Sequence, residues 1–278
     1  LSVRLRPLAL PAGWSTQWHS GDLHKHMNYG GMYRATPETL ISQATAEDLD
    51  VAFNLIVNKE QRIPDIEYFS PTPDRASTPA VLLSHGEEFH TSYWGHLGLL
   101  GLREHLLLPV YAAYANTAVA SIFPTNSTIA DLAHAQGALV GYVHPFDTLP
   151  DPAKDPLLTN ALPVDAALGK VDYYEVVGFA DHRATAEVWH RLLNCGFRLA
   201  AAAGTDAMTN FASLRRAVGL NRVYGGTGAL PADDGARLDT WLAGLKAGRT
   251  IATNGPLLGL TVDGRGPGEE LELAAAGS

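Results

Sequence analysis

The stretch GDLHKHMNYGG, beginning at Gly21, sets His24 and His26 two positions apart, after an aspartate and before a pair of glycines. Successive side chains of a strand point to opposite faces, so residues i and i+2 share one face. At a strand end the two imidazoles would address a single point, as ligands of zinc, manganese or iron do. In a chain with 11 histidines one such pair also arises readily by chance, and two polar loop histidines are its plainest reading alone.

Other segments carry residues of the same chemical type. HGEEFHTSYWGHLGLLGL, beginning at His85, places carboxylates and a Gly-His pair on a strand and its following loop. GYVHP ends a strand with His144 and a proline, and AAAGTDA ends another with Asp206. A charge after four alanines and a glycine is odd on a solvent-exposed segment but sensible as a ligand at the end of a buried strand.

These segments need elements to position them. Thr36, Pro37 and Glu38 open a helix as N-cap, first helical residue and first-turn acid, and near Leu49 it gives way to the strand VAFNLIV. Residues 80–90 read as a strand, 126–137 as a helix closed by Gly137, and 138–145 and 171–179 as strands. A helix over 184–196 and a strand over 198–207 follow. Such alternation argues for βαβ units and a mostly parallel sheet. In a barrel the carboxyl ends of the strands converge on one mouth, whereas an open doubly wound sheet spreads them along a crevice. The barrel accounts better for reactive residues at several strand ends. Residues 1–20 read as an extended lead-in, 21–250 as the barrel, and 251–278 as a β-hairpin or the start of a small β-module.

The 278 residues are 46% hydrophobic and 18% charged, with a formal net charge of -9 and no basic block. That balance argues against a nucleic-acid partner. The single cysteine, Cys195, excludes an intramolecular disulfide and a multi-cysteine zinc site and reads as a small buried hydrophobe. The uncharged run 106–123 reads as a buried helix, since Pro109 and Asn116 spoil it as a membrane span. No membrane partner is expected. No signal peptide is visible, although a chain starting at Leu1 could have lost a leader, so cytoplasmic and periplasmic or secreted locations both stay open. No G-x-S-x-G elbow occurs, and GGTG at 225–228 lacks the lysine of a phosphate loop.

Taken in order, SGDLHKHMNYGG, TSYWGHLGLLGL, GYVHPFD, VDYYEVVGF, AGTDA and GRTIATNGP resemble the PHP (polymerase and histidinol phosphatase) superfamily of metal-dependent hydrolases, most closely its CehA/McbA-type branch. The resemblance covers nearly the whole chain. It implies an α/β fold, a distorted (β/α)7-type PHP barrel with a short C-terminal β-rich extension. It implies one metal on His24, His26, Glu88 and Asp206, with Glu88 bridging to a second held by His96 and His144. Glu88 is preferred to Glu87 because Gly86-Glu87-Glu88 fits the family's G-x-E pattern, and a slip of one residue would turn the side chain to the other face. A third metal site present in many relatives looks lost: Asn58 stands near an expected histidine, Met208 replaces another, and MNYGG offers none. Two divalent ions of zinc, manganese or iron are thus implied, with His90 and His182 as residues that would refill part of the third site.

The implied activity is hydrolysis by a metal-bound hydroxide. Loss of the third site removes charge that would neutralise a phosphate monoester, and the aromatic surroundings of NYGGMY and TSYWG suit an apolar leaving group. Both favour ester or carbamate bonds of a small-molecule substrate. The alternatives are a phosphoesterase with the same dinuclear site and, in another class, a non-catalytic metal- or ligand-binding module of a larger protein. His182 is the candidate general acid. Tyr29, Arg34, Asn58 and Lys59 lie near the expected mouth, and Glu175, on a buried strand, is read as orienting a ligand histidine. Oligomeric state is not legible.

Overall fold

The computed structural model describes residues 14–30, 32–58, 65–107, 118, 120–151, 153–154, 160–210 and 217–272. A single helical turn, α1 (Trp14–Gln17), runs directly into β1 (Trp18–His26), whose last seven residues are buried. Helix α2 (Pro37–Ala46) starts as its sequence dictates: the Thr36 side chain accepts from the Thr39 amide, and Pro37 takes the first helical position. It leads to β2 (Val51–Val57), buried along its whole length. That burial follows from its place between two parallel neighbours, β1 and β3 (Leu82–His90).

The next strand departs from a simple parallel barrel. The Gly-His segment, expected as a loop after β3, forms β4 (His96–Leu100), which pairs antiparallel with both β3 and β5 (Leu139–Tyr142). Between them lies α3 (Asn126–Ala135), capped by Thr125 and followed by Gly137 at φ +80°. After α4 (Leu162–Ala167) come β6 (Tyr173–Val177), helix α5 (His182–Asn194) and β7 (Ala200–Ala203), with β5, β6 and β7 mutually parallel. Asp181 caps α5 by accepting from the Ala184 amide, so the helix begins two residues before the expected 184. Then follow β8 (Ala207–Met208), β9 (Arg222–Gly226), α6 (Asp234–Lys246) and β10 (Thr250–Thr253).

The strands run in the order β10-β9-β1-β2-β3-β4-β5-β6-β7, and β8 pairs with β1. Residues leaving β7 nearly close this sheet into a barrel. Thr205 donates its amide (3.0 Å) and hydroxyl (2.7 Å) to Asp22, and the Asp206 amide donates to the His24 carbonyl (2.8 Å). The close approach requires a glycine: a Cβ at Gly204 would lie 2.4 Å from the His24 Cβ. At the amino ends of the strands, α6 plugs the barrel with Trp241, which is fully buried with Leu23, Phe53, Leu82, Leu139 and Tyr173. Burial of such side chains contributes about 1.5–3 kcal/mol each. The carboxyl ends are left for chemistry, as in barrels generally.

One expectation changes, for Cys195, and two others meet the described residues only in part, with 273–278 of the expected β-module outside them. Of the run 106–123, residues 108–117 and 119 lie outside the described residues, while Ile122 and Phe123 are exposed and non-helical. Cys195 is exposed rather than a buried hydrophobe, because it caps the carboxyl end of α5. After β10, residues 254–272 contain one isolated bridge, Val262 to Arg265, around Asp263 and Gly264. Among the described residues no helix is long and apolar enough to cross a membrane.

Candidate metal centre

His24 and His26 stand at the carboxyl end of β1, and each has one ring nitrogen committed behind the site. His24 Nδ1 lies 3.1 Å from Glu175 Oε2, and His26 Nδ1 lies 2.8 Å from the Leu55 carbonyl. A carbonyl only accepts and a carboxylate is an acceptor, so both Nδ1 atoms carry the hydrogen. That tautomer turns both Nε2 lone pairs inward, 3.2 Å from one another. His26 Nε2 is 3.1 Å from both Glu88 Oε2 and Asp206 Oδ1, and His24 Nε2 is 3.5 and 3.7 Å from the same oxygens. His24, His26 and Asp206 thus offer a compact set of ligand atoms.

Glu88 is the centre of the arrangement. Its Oε2 faces His24, His26 and, at 3.0 Å, His90 Nε2; its Oε1 lies 2.9 Å from His96 Nδ1 and 3.0 Å from His144 Nε2. The alternation of β3 turns Glu87 the other way. Its Oε2 accepts from the Leu107 amide at 2.7 Å, and burial pushes its pKa up to about 8. Burial also works against ionisation of Glu88, yet the neighbouring His90, His24 and His144 hold its pKa well below the usual carboxylate range. Asp206 is depressed to about 2 in the same way, burial being outweighed by His26 and His24. Burial would lower His26, but Asp206 and Glu88 raise it to about 9. These carboxylates and imidazoles therefore stabilise each other only with positive charge among them, the role a divalent cation fills.

Two of these residues sit in backbone conformations that side chains with a Cβ rarely adopt: His144 at φ 31° and Asp206 at φ 51°. Both follow the ends of strands, where the strained turn aims the side chain back across the barrel mouth, as such outliers at functional sites do.

The structure brings together His24, His26, Glu88, His96, His144 and Asp206, and adds His90, with Glu175 behind His24. Tyr29 borders the group, its ring centroid 5.1 Å from that of His26. Asn58, expected near substrate, is buried with its amide turned to the backbone of β3. Its Oδ1 accepts from the His90 amide at 2.7 Å and its Nδ2 donates to the His90 carbonyl at 3.4 Å. Arg34 is exposed between β1 and α2, and Lys59 lies outside the described residues. His182 opens α5, where its Nε2 donates to the Gly178 carbonyl at 2.8 Å.

Two supporting residues escaped the sequence reading. Asp22, fully buried, accepts from the amides of His24 (3.2 Å), Thr205 (3.0 Å) and Gly219 (2.9 Å) as well as from the Thr205 hydroxyl. Its spacing two before His24 does not put it on the ligand face, because β1 shifts register between Asp22 and Lys25 and so breaks the alternation there. Asn221 donates to the carbonyls of Gly178 and Gly204 (3.1 and 3.0 Å), the two glycines against which Glu175 packs, and no local pattern marks it.

No protein-family model matches the chain, and no curated protein matches it. Solved structures do. PsfC from Pseudomonas syringae PB-5123 superposes with a TM-score of 0.55 at 16% identity, over 85% of this chain and 91% of that one. A two-domain protein from Bacteroides vulgatus ATCC 8482 containing a predicted PHP-like metal-dependent phosphoesterase gives 0.53 at 15% identity, over 91% and 69%. An Endonuclease Q in complex with a 27-mer duplex substrate, an abasic lesion at its active site, gives 0.50 at 16% identity, over 79% and 56%. The last finding corrects the exclusion of nucleic acid made from net charge, since a protein of similar fold holds a nucleic-acid duplex at its active site. Net charge is a whole-molecule sum, whereas binding follows the local field at the site. The chain has the distorted α/β barrel fold of PHP-like proteins.

Proposed function

We propose that this chain is a metal-dependent hydrolase of phosphoesters, and that His24, His26, Glu88, His96, His144 and Asp206 hold two divalent ions. The observation that carries the reading is the position of Glu88, one carboxylate whose two oxygens each face a separate group of imidazoles. The donors fit such ions: imidazole nitrogens and carboxylate oxygens suit zinc, manganese and iron alike. Bound there, divalent ions polarise a phosphoryl oxygen and lower the pKa of a water nucleophile.

The protein's own part is preorganisation. Glu175 and the Leu55 carbonyl fix the tautomers of His24 and His26, and Asp22 and Gly204 set the turn that presents Asp206. A cleft of about 540 Å³ opens beside His96, walled by Tyr93, Phe146, Asp147, Leu149 and Asn160, and it can receive the leaving group. While the nucleophile is still water, two divalent ions outweigh the three carboxylates of Glu88, Asp206 and Glu175 by one positive charge, which favours binding of an anionic phosphoester over a neutral ester. The likeness to the PHP-like phosphoesterase and to Endonuclease Q supports the same substrate class.

The test is metal analysis of the purified protein, followed by a panel of bis-p-nitrophenyl phosphate, p-nitrophenyl phosphate and p-nitrophenyl acetate before and after chelation. Chelator-sensitive hydrolysis of the diester is expected. Chelator-sensitive cleavage of the acetate alone would move the reading to the ester and carbamate substrates implied by the CehA/McbA-type resemblance. A protein binding no divalent metal would leave only a non-catalytic module.

A further inference from the structure

We propose that His90 is itself a metal ligand, holding one divalent ion together with Glu88 and His96, rather than a remnant of the lost third site. The inference rests on the reading of the cluster as a divalent-metal centre and assigns a residue that this reading does not require.

The placement follows from β3 and β4. Glu88 and His90 are two apart on β3 and so share a face, and His90 is the direct register partner of His96 across the antiparallel pair. The two rings stack with centroids 3.5 Å apart at an interplanar angle of 13°, and each reaches a different oxygen of Glu88, at 3.0 and 2.9 Å. Glu88, His90 and His96 thereby form a compact triad of ligand atoms. Asn58 secures the triad from behind by binding both backbone polar groups of His90. The position where the family resemblance expects a histidine is thus occupied by a residue that fixes another histidine at the centre.

Hydrogen bonding alone does not account for the crowding. Glu88 has imidazole nitrogens of His24, His26, His90, His96 and His144 within 3.5 Å of its oxygens, and a carboxylate offers about four lone-pair sites. Five imidazole nitrogens thus compete for about four acceptor sites, and a divalent ion held by Glu88, His90 and His96 takes up the excess.

The experiment compares metal stoichiometry and affinity, by mass spectrometric metal analysis and by zinc titration against a chromophoric chelator, in the wild type, His90→Phe and His90→Gln. Phe preserves the stack on His96, and Gln preserves a hydrogen-bond donor to Glu88. The wild type is expected to bind two ions, and both variants to retain one while binding the other at least tenfold more weakly. Wild-type affinity at both ions in a folded Gln variant would overturn the assignment, since a hydrogen-bonding role would then suffice. If both variants fail to fold, 15N-histidine spectra of the wild type decide: zinc must move a His90 ring nitrogen to the metal-bound position, and an unmoved ring overturns the assignment. A wild type that binds no divalent ion would instead refute the metal-centre reading itself.

Discussion

Glu175 offers the sharpest perturbation of the proposed centre, because it touches one ligand from behind and none of the substrate space. Its Oε2 accepts from His24 Nδ1 at 3.1 Å, and both side chains are essentially excluded from solvent. In Glu175→Ala the Nδ1 hydrogen loses its acceptor in a buried site, and the ring loses the contact that fixes its tautomer. Removing such a partner lowers metal affinity about 10- to 100-fold, or roughly 1.4–2.8 kcal/mol. Glu175→Gln keeps an acceptor oxygen but removes the charge that makes the imidazole a better donor to metal, so it should fall near the tenfold end. Both oxygens of Glu175 lie against glycines, with Oε1 only 1.9 Å from where a Gly178 Cβ would stand. Zinc titration against a competing chelator at constant pH measures the effect, and thermal melts of the metal-free proteins separate it from loss of folding. A folded Glu175→Ala protein with wild-type zinc affinity would refute the reasoning; so would Gln losing as much as Ala, which would assign the effect to charge alone.

Three further outcomes follow from the same geometry. Gly204→Ala places a Cβ 2.4 Å from the His24 Cβ and 2.9 Å from its backbone nitrogen, so β1 and the turn before Asp206 must separate. It should cost about 1–3 kcal/mol in urea unfolding and also weaken metal binding, and an unchanged midpoint would show that the barrel is not closed there. Asp22→Asn leaves one acceptor oxygen and one amide group facing the donors that now converge on two carboxylate oxygens. It should destabilise by roughly 1–3 kcal/mol per donor left unpaired, read from the same urea curves, and a loss below ~0.5 kcal/mol would contradict the network. Metal loading should raise the melting temperature, since free zinc at a hundredfold over Kd adds about 2.7 kcal/mol to the folded state. Chelation should reverse the rise, and a melting temperature indifferent to zinc and chelator would count against a bound ion.

How much of this was legible in the sequence depends on the range of the interaction concerned. The grouping of His24, His26, Glu88, His144 and Asp206 was legible only through the family resemblance; strand alternation, a local rule, adds that Glu88 parts from Glu87 and that His24 stays with His26. Asp22 was not readable by that rule, since the register shift in β1 between Asp22 and Lys25 breaks the alternation between it and His24. Nor was strand β4, since GHLGLLGL is rich in glycine and lacks polar alternation, and only its two antiparallel partners show that it is a strand. His90 falls between these cases. Its parity with Glu88 is local, but its pairing with His96 is set by the β3–β4 register, which no spacing rule supplies when the second strand goes unrecognised. Asn58 carries the same lesson. A single-residue comparison reads it as an absent histidine, while the folded chain uses its amide to hold His90 against Glu88. A ligand missing from a motif position is therefore weak ground for a missing charge. What decides the substrate's charge is the sum over groups that meet at the barrel mouth, and among the described residues that meeting is richest in imidazole around Glu88.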